Sequence, residues 1–89
     1  MSFKRLQYFI DVVQLRSITK AADKNNITQC AMSQQIKAIE KELDTLLLIR
    51  QRNQITPTDA GYIFYNFCVD SLEYHHEAMK KIENIRKTD

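Results

Sequence analysis

The 89-residue sequence has little that breaks or bends a chain: one Gly, one Pro and no Trp. Sandwiches and barrels need frequent turn residues, and nucleotide cradles need glycine-rich loops, so neither is expected. Cys30 and Cys68 stand far apart, with no CxxC pair and no nearby histidine, which argues against a disulfide framework and against zinc. No apolar run approaches the roughly 20 residues of a membrane span, and Met1-Ser2-Phe3-Lys4-Arg5 is not followed by a signal-peptide core. The expectation is a soluble, cytoplasmic chain with reduced thiols and no membrane partner. Ser/His/Asp arrangements and metal-ligand spacings are missing too, so no enzyme activity, cofactor or metal is expected.

What is present favours helix. Apolar residues make up 44% of the chain and charged residues 27%, enough for one modest core in a single small unit that gains from a partner. The net charge of +2 is unevenly spread. Residues 1–56 carry nine Lys/Arg against five acids, whereas residues 57–89 carry four against six. A basic first part suits a polyanion, and the mildly acidic remainder suits another task.

Phe3, Leu6, Phe9, Ile10 and Val13 recur at helical spacing after Ser2, a potential N-cap, and predict a helix over 3–15. Ser17 caps a second, short helix over 18–24, whose paired alanines admit a close neighbour, and Asn25-Asn26 ends it. Thr28 caps a third helix to Leu43, with Met32, Ile36, Ile39 and Leu43 as its buried stripe. An adjoining sector holds Gln29, Cys30, Ser33, Gln34, Lys37 and Lys41, a small, amide and basic face that can lie against DNA or simply face solvent. Leu46 to Thr56 reads as a two-stranded hairpin with Arg52 and Asn53 at its tip. After Pro57, Thr58 caps a helix running to about residue 87, roughly 43 Å long, too long for the preceding bundle to cover. Ile63, Phe64, Phe67, Tyr74, Met79, Ile82 and Ile85 run along it as an apolar stripe, interrupted by Ser71 and His75. This drifting stripe predicts a homodimer through an antiparallel or crossed helix pair rather than a strict heptad zipper.

Three helices, the second and third joined by a tight turn, followed by a hairpin describe a mainly α, winged helix-turn-helix fold. The expected division is a DNA-binding part over 1–57 and a linker and dimerisation helix over 58–89. The segments Leu6-Gln7-Tyr8-Phe9, Ser17-Ile18-Thr19-Lys20-Ala21-Ala22, Thr28-Gln29, Ser33-Gln34-Gln35-Ile36, Ile39-Glu40-Lys41-Glu42-Leu43, Leu47-Leu48-Ile49-Arg50 and Thr58-Asp59-Ala60-Gly61 stand in register along nearly the whole chain. Together they resemble the N-terminal domain of LysR-type transcriptional regulators.

That resemblance implies a dimer that binds double-stranded DNA at an interrupted palindrome, with the third helix in the major groove and the wing on the backbone or minor groove. Carried over by position, Gln29 and Ser33 are base-edge readers, with Cys30 and Gln34 on the same face. Thr19, Lys20, Thr28 and Lys37 suit phosphates, and Arg50, Arg52 and Asn53 serve the wing. The family usually has Pro at position 30 and Arg at 34, so a packing wedge and a charged DNA contact are missing. Arg16 and Asp44 replace frequent turn glycines, Leu48 a usual Phe and Pro57 a usual Leu. Asp tolerates the left-handed conformation; for Arg16, phosphate contact and plain solvation both stay open. Family members are normally longer, with a C-terminal effector-sensing domain, so the chain is expected to be a DNA-binding portion, and a small-molecule effector enters only with such a domain.

Other readings have less in their favour. His75 and His76 point about 100° apart on a helix and do not converge on one ion. Oxidation of Cys30 could block a base contact, although a small contact residue needs no redox role. A helical dimeric module that binds protein, or a stand-alone winged-helix repressor of another family, are the alternatives to a LysR-type regulator.

Overall fold

In the computed structural model, which describes residues 1–88, the elements run α1 (Phe3–Leu15), α2 (Ile18–Lys24), α3 (Gln29–Leu43), β1 (Leu48–Gln51), β2 (Gln54–Pro57) and α4 (Asp59–Thr88). The architecture is mainly α with one antiparallel hairpin, in which Leu48 pairs with Pro57 and Gln51 with Gln54. All four helix starts are fixed by hydroxyls. Ser2, Ser17, Thr28 and Thr58 accept from the amides of Arg5, Lys20, Ala31 and Gly61 at 3.0–3.2 Å. Each such cap contributes about 1 kcal/mol by satisfying a donor that the helix itself leaves open.

The core is shared by every element. Phe9 and Val12 from α1, Ala21 and Ala22 from α2, Met32, Ile36 and Ile39 from α3, Leu48 and Ile55 from the hairpin, and Phe64 and Cys68 from α4 are all buried together with Leu47. The two alanines let α2 approach its neighbours closely, as their small size predicts. Phe3 stacks on His75, Phe9 packs edge-on against Phe64 at 4.9 Å, and Gln14 donates to the Tyr65 hydroxyl at 3.0 Å. The start of α1 at Phe3 thus meets His75 and its end at Gln14 meets Tyr65, so the two helices run antiparallel. Beyond His75, α4 leaves the bundle, which accounts for a longest dimension of 55 Å against 26 and 19 Å in the others.

Two expectations are corrected. Phe64, assigned to the dimerisation stripe, is buried against Phe9, because the stripe drifts and this position turns toward α1. Leu43 closes α3 half in solvent, since Asp44 turns the chain away in a left-handed conformation (φ 51°) and Leu47 fills the space instead. At the start of α4, Gly61, Phe64 and Cys68 are buried with the core of the preceding helices.

The chain's single glycine has a steric cause. Thr58 N donates to the Leu47 carbonyl at 2.9 Å, and Thr58 Oγ1 donates to the Leu46 carbonyl at 2.8 Å, drawing the first turn of α4 onto this loop. A Cβ on Gly61 would overlap the Leu47 carbonyl oxygen and crowd Pro57 Cβ at 3.0 Å. Backbone cannot yield as a flexible side chain can, so Gly61→Ala is expected to lower stability by about 1–3 kcal/mol or more. A shift of the urea midpoint at constant slope checks this; an unchanged midpoint would contradict the packing.

Candidate nucleic-acid interface

The angle between α2 and α3 is set by the turn at residues 25–27. Asn25 N donates to the carbonyls of Ala21 and Ala22, Asn26 N to Asp23 and Ile27 N to Ala22. Asn26 takes a positive φ of 57°, a conformation that asparagine tolerates. Beneath this turn lies Asp11, an acid only 1% exposed inside the α1 face. Its carboxylate accepts from Lys24 Nζ at 2.8 Å, Asn25 Nδ2 at 2.9 Å and Gln7 Nε2 at 3.1 Å. Burial pushes the Asp11 carboxyl up, but the hydrogen bonds from Lys24, Asn25 and Gln7 and the Lys24 charge outweigh it and hold it below its ordinary value. A second tie, from Arg5 Nε to Gln35 Oε1 at 2.8 Å, joins α1 to the middle of α3.

With α3 held by Met32, Ile36 and Ile39 on its inner side, the opposite side is free. Gln29, Cys30, Gln34 and Lys37 are exposed and Ser33 is half-buried. Thr28 is occupied as the helix cap, while Thr19 and Lys20 on α2 are exposed. The hairpin stands beside this face because Glu40 of α3 accepts from the amides of Leu47 and Leu48 at 2.8 and 3.3 Å. Arg50 of β1 then reaches α3, its Nη2 donating to Ser33 Oγ at 3.0 Å.

These constraints create a cleft of about 260 Å³ bordered by Arg16, Ser17, Thr19, Gln29, Arg50, Arg52, Asn53 and Gln54, with Ile18 and Ile55 at its floor. Three arginines and no acid line it. The tip residue Arg52 and the α1 C-cap Arg16 both hold positive φ, 55° and 53°. Lys20, Thr28, Cys30, Ser33, Gln34 and Lys37 lie outside this cleft. Asp11, Gln35 and Glu40 are the positioning groups that periodicity missed; an acid between Ile10 and Val12 was the available signal for the first.

The helix-turn-helix and the first turn of α4 fall within residues 3–62, the span matched by a family model described as bacterial regulatory helix-turn-helix protein, lysR family. The chain belongs to the lysR family. Among its lysR relatives, the nitrogen assimilation regulatory protein Nac of Escherichia coli is 41% identical over 85 residues, 96% of this chain and 28% of that protein. The HTH-type transcriptional regulator BenM of Acinetobacter baylyi is 36% identical over 91 residues, 99% of this chain and 30% of that protein. The chain thus spans less than a third of the length of these relatives. In structure it is similar to the BenM DNA-binding domain in complex with catB site 1 DNA, with a TM-score of 0.90 at 35% identity over 96% of this chain and 94% of that one. It is also similar to the CbnR DNA-binding domain in its DNA complex, with a TM-score of 0.89 at 28% identity over 96% of this chain and 98% of that one.

At the positions where this lysR-family chain departs from the usual pattern, Arg16 and Asp44 take the left-handed conformation that glycine would otherwise supply. Cys30 is an exposed free thiol in the first turn of α3, whereas Cys68 is sealed in the core, where burial pushes its thiol up to about 12. Of the stripe on α4, Ile63, Phe67, Tyr74, Met79, Ile82 and Ile85 are exposed. Ile63 and Phe67 also border an open apolar hollow with Met1, Leu43 and Ala60. No helix among the described residues is long and apolar enough to cross a membrane.

The Asp11 network carries a pH dependence whose sign follows from its lowered pKa. Its contribution is present above the unfolded carboxyl value of about 3.9 and is lost as pH falls through the lower folded value. Asp11→Asn should cost about 1–3 kcal/mol at pH 7 and flatten the acid limb of the stability profile. Urea midpoints across pH measure both, and parallel profiles for wild type and variant would refute the assignment.

Proposed function

We propose that this chain is the DNA-binding part of a LysR-type transcriptional regulator and binds double-stranded DNA sequence-specifically. The observation that carries this reading is the acid-free cleft where Arg16, Thr19, Gln29, Arg50, Arg52 and Asn53 meet beside the free face of α3. Similarity to lysR-family domains solved with DNA supports it. In this reading α3 enters the major groove with Gln29, Cys30, Ser33 and Gln34 toward base edges. Thr19, Lys20, Thr28, Lys37 and Arg16 hold phosphates, and Arg50, Arg52 and Asn53 bring the wing to the backbone or minor groove. Residues 1–57 supply the reading surface and 58–89, of which Asp89 lies outside the described residues, the pairing helix, although the first turns of that helix belong to the same core. The protein acts in the cytoplasm and has no catalytic role.

The exposed α4 residues support pairing with a second copy, which would set two reading helices on an interrupted palindrome. Ile82→Glu would bury an unpaired charge in that seam and should weaken dimerisation at least about a hundredfold without touching the core. Sedimentation at micromolar concentration reads the result, and a variant that stays dimeric excludes this seam.

For the reading surface, the test is selection of a random duplex library at physiological salt, followed by titrations at several salt concentrations. An enriched interrupted palindrome is expected; salt-labile binding without enrichment would leave only a generic polyanion binder. Gln29→Ala should change base preference, removing about 1–3 kcal/mol of discrimination at one position per half-site. Lys37→Ala should weaken all duplexes similarly and reduce the salt slope by about one. Uniform losses from both would overturn the division of roles.

A further inference from the structure

The contact between Arg50 and Ser33 does more than brace the wing. A serine hydroxyl has one donor and two acceptor lone pairs, whereas a guanidinium only donates. Here Arg50 Nη2 donates to Ser33 Oγ at 3.0 Å, so a lone pair is taken and the hydroxyl proton is turned away from the cation. In a helix the usual acceptor for that proton is a carbonyl one turn back. Ser33 donates to no protein acceptor among the described residues, so its proton is available on the open face of α3. An isolated serine is permissive, accepting or donating as the base requires. With Arg50 beside it, one lone pair is already filled and the adjacent cation opposes the approach of a second donor, so donation is favoured over acceptance.

We propose that Arg50 is a positioning residue that biases Ser33 toward donating, favouring base edges that present an acceptor in the major groove. Purine N7, guanine O6 and thymine O4 qualify; cytosine, which offers only its amino donor there, is disfavoured. This rests on the DNA-binding reading above and assigns chemical selectivity within it. The wing strand thereby contributes to major-groove specificity through Ser33 without touching a base.

The test begins with the operator selected by the intact chain. The Ser33 position is the one whose preference changes in Ser33→Ala. Duplexes are then made with that base's acceptor deleted, by a 7-deazapurine or a thymine analogue lacking O4. Wild type should disfavour cytosine there and lose roughly three- to tenfold in affinity on acceptor deletion. Ser33→Ala should abolish that penalty and Arg50→Ala should reduce it, and the double variant should show no more than Ser33→Ala alone, as expected if Arg50 acts through Ser33. Arg50 is exposed, so the variant should keep the wild-type urea midpoint. If Arg50→Ala weakens every duplex by one factor and leaves the deletion penalty intact, Arg50 is a phosphate contact and the inference fails. A wild type that prefers cytosine at this position also overturns it while sparing the DNA-binding reading. A wild type with no sequence preference removes both.

Discussion

The structure depends on what is tied to Leu46 and Leu47. The Leu47 amide is held by Glu40 of α3, its carbonyl by Thr58 at the start of α4, and its side chain fills the core, while the Leu46 carbonyl receives the Thr58 hydroxyl. Three elements are thereby referenced to two residues. The third helix, the hairpin and the long helix take fixed relative positions only because this short link cannot move independently. Its tightness is why the one glycine of the chain sits at 61, where any side chain would strike the backbone. A loosened link would leave each element intact and still misplace the cleft, since Arg50 and Gln29 reach it from opposite sides of that junction.

Asp11 performs the corresponding task at the other end of the bundle, beneath the turn between α2 and α3. An acid this buried is costly unless its partners replace water, and Lys24, Asn25 and Gln7 do so. No buried side-chain polar atom among the described residues lacks a partner. A directional network specifies one arrangement of α1 against the turn, where the apolar contacts of Ala21 and Ala22 would permit sliding. The polar groups inside the protein are spent on positioning, and those on the outer face of α3 are left unspent.

How far this was legible follows from what each signal encodes. Helix limits were read closely because capping hydroxyls and apolar periodicity are local, and so were the wing and its tip at Arg52 and Asn53. Local pattern does not record which way a drifting stripe turns, so Phe64 was assigned outward although it faces Phe9. Leu43 failed for a related reason: periodicity continues through a helix end, whereas burial stops where Asp44 redirects the chain. The ties Arg5 to Gln35, Glu40 to Leu47 and Arg50 to Ser33 join residues that are ordinary surface types in sequence, and only the fold makes them partners. For the interface, residue types and their helical face were available from the sequence; the cleft that unites α1, α2, α3 and the wing was not.

The placement of strain points the same way as the placement of charge. Arg16 and Arg52 occupy left-handed backbone conformations that cost an L-residue about 1–2 kcal/mol and that glycine adopts freely. Both line the acid-free cleft, as does Arg50. Asn26 and Asp44, the other two positive-φ residues, are types whose short side chains relieve such strain locally, but arginine has no such means. Stability alone would favour glycine at 16 and 52. Arginines there make sense when the cation itself is what the position must supply, and a polyanion seated between the wing and α3 is the partner that would repay two strained turns.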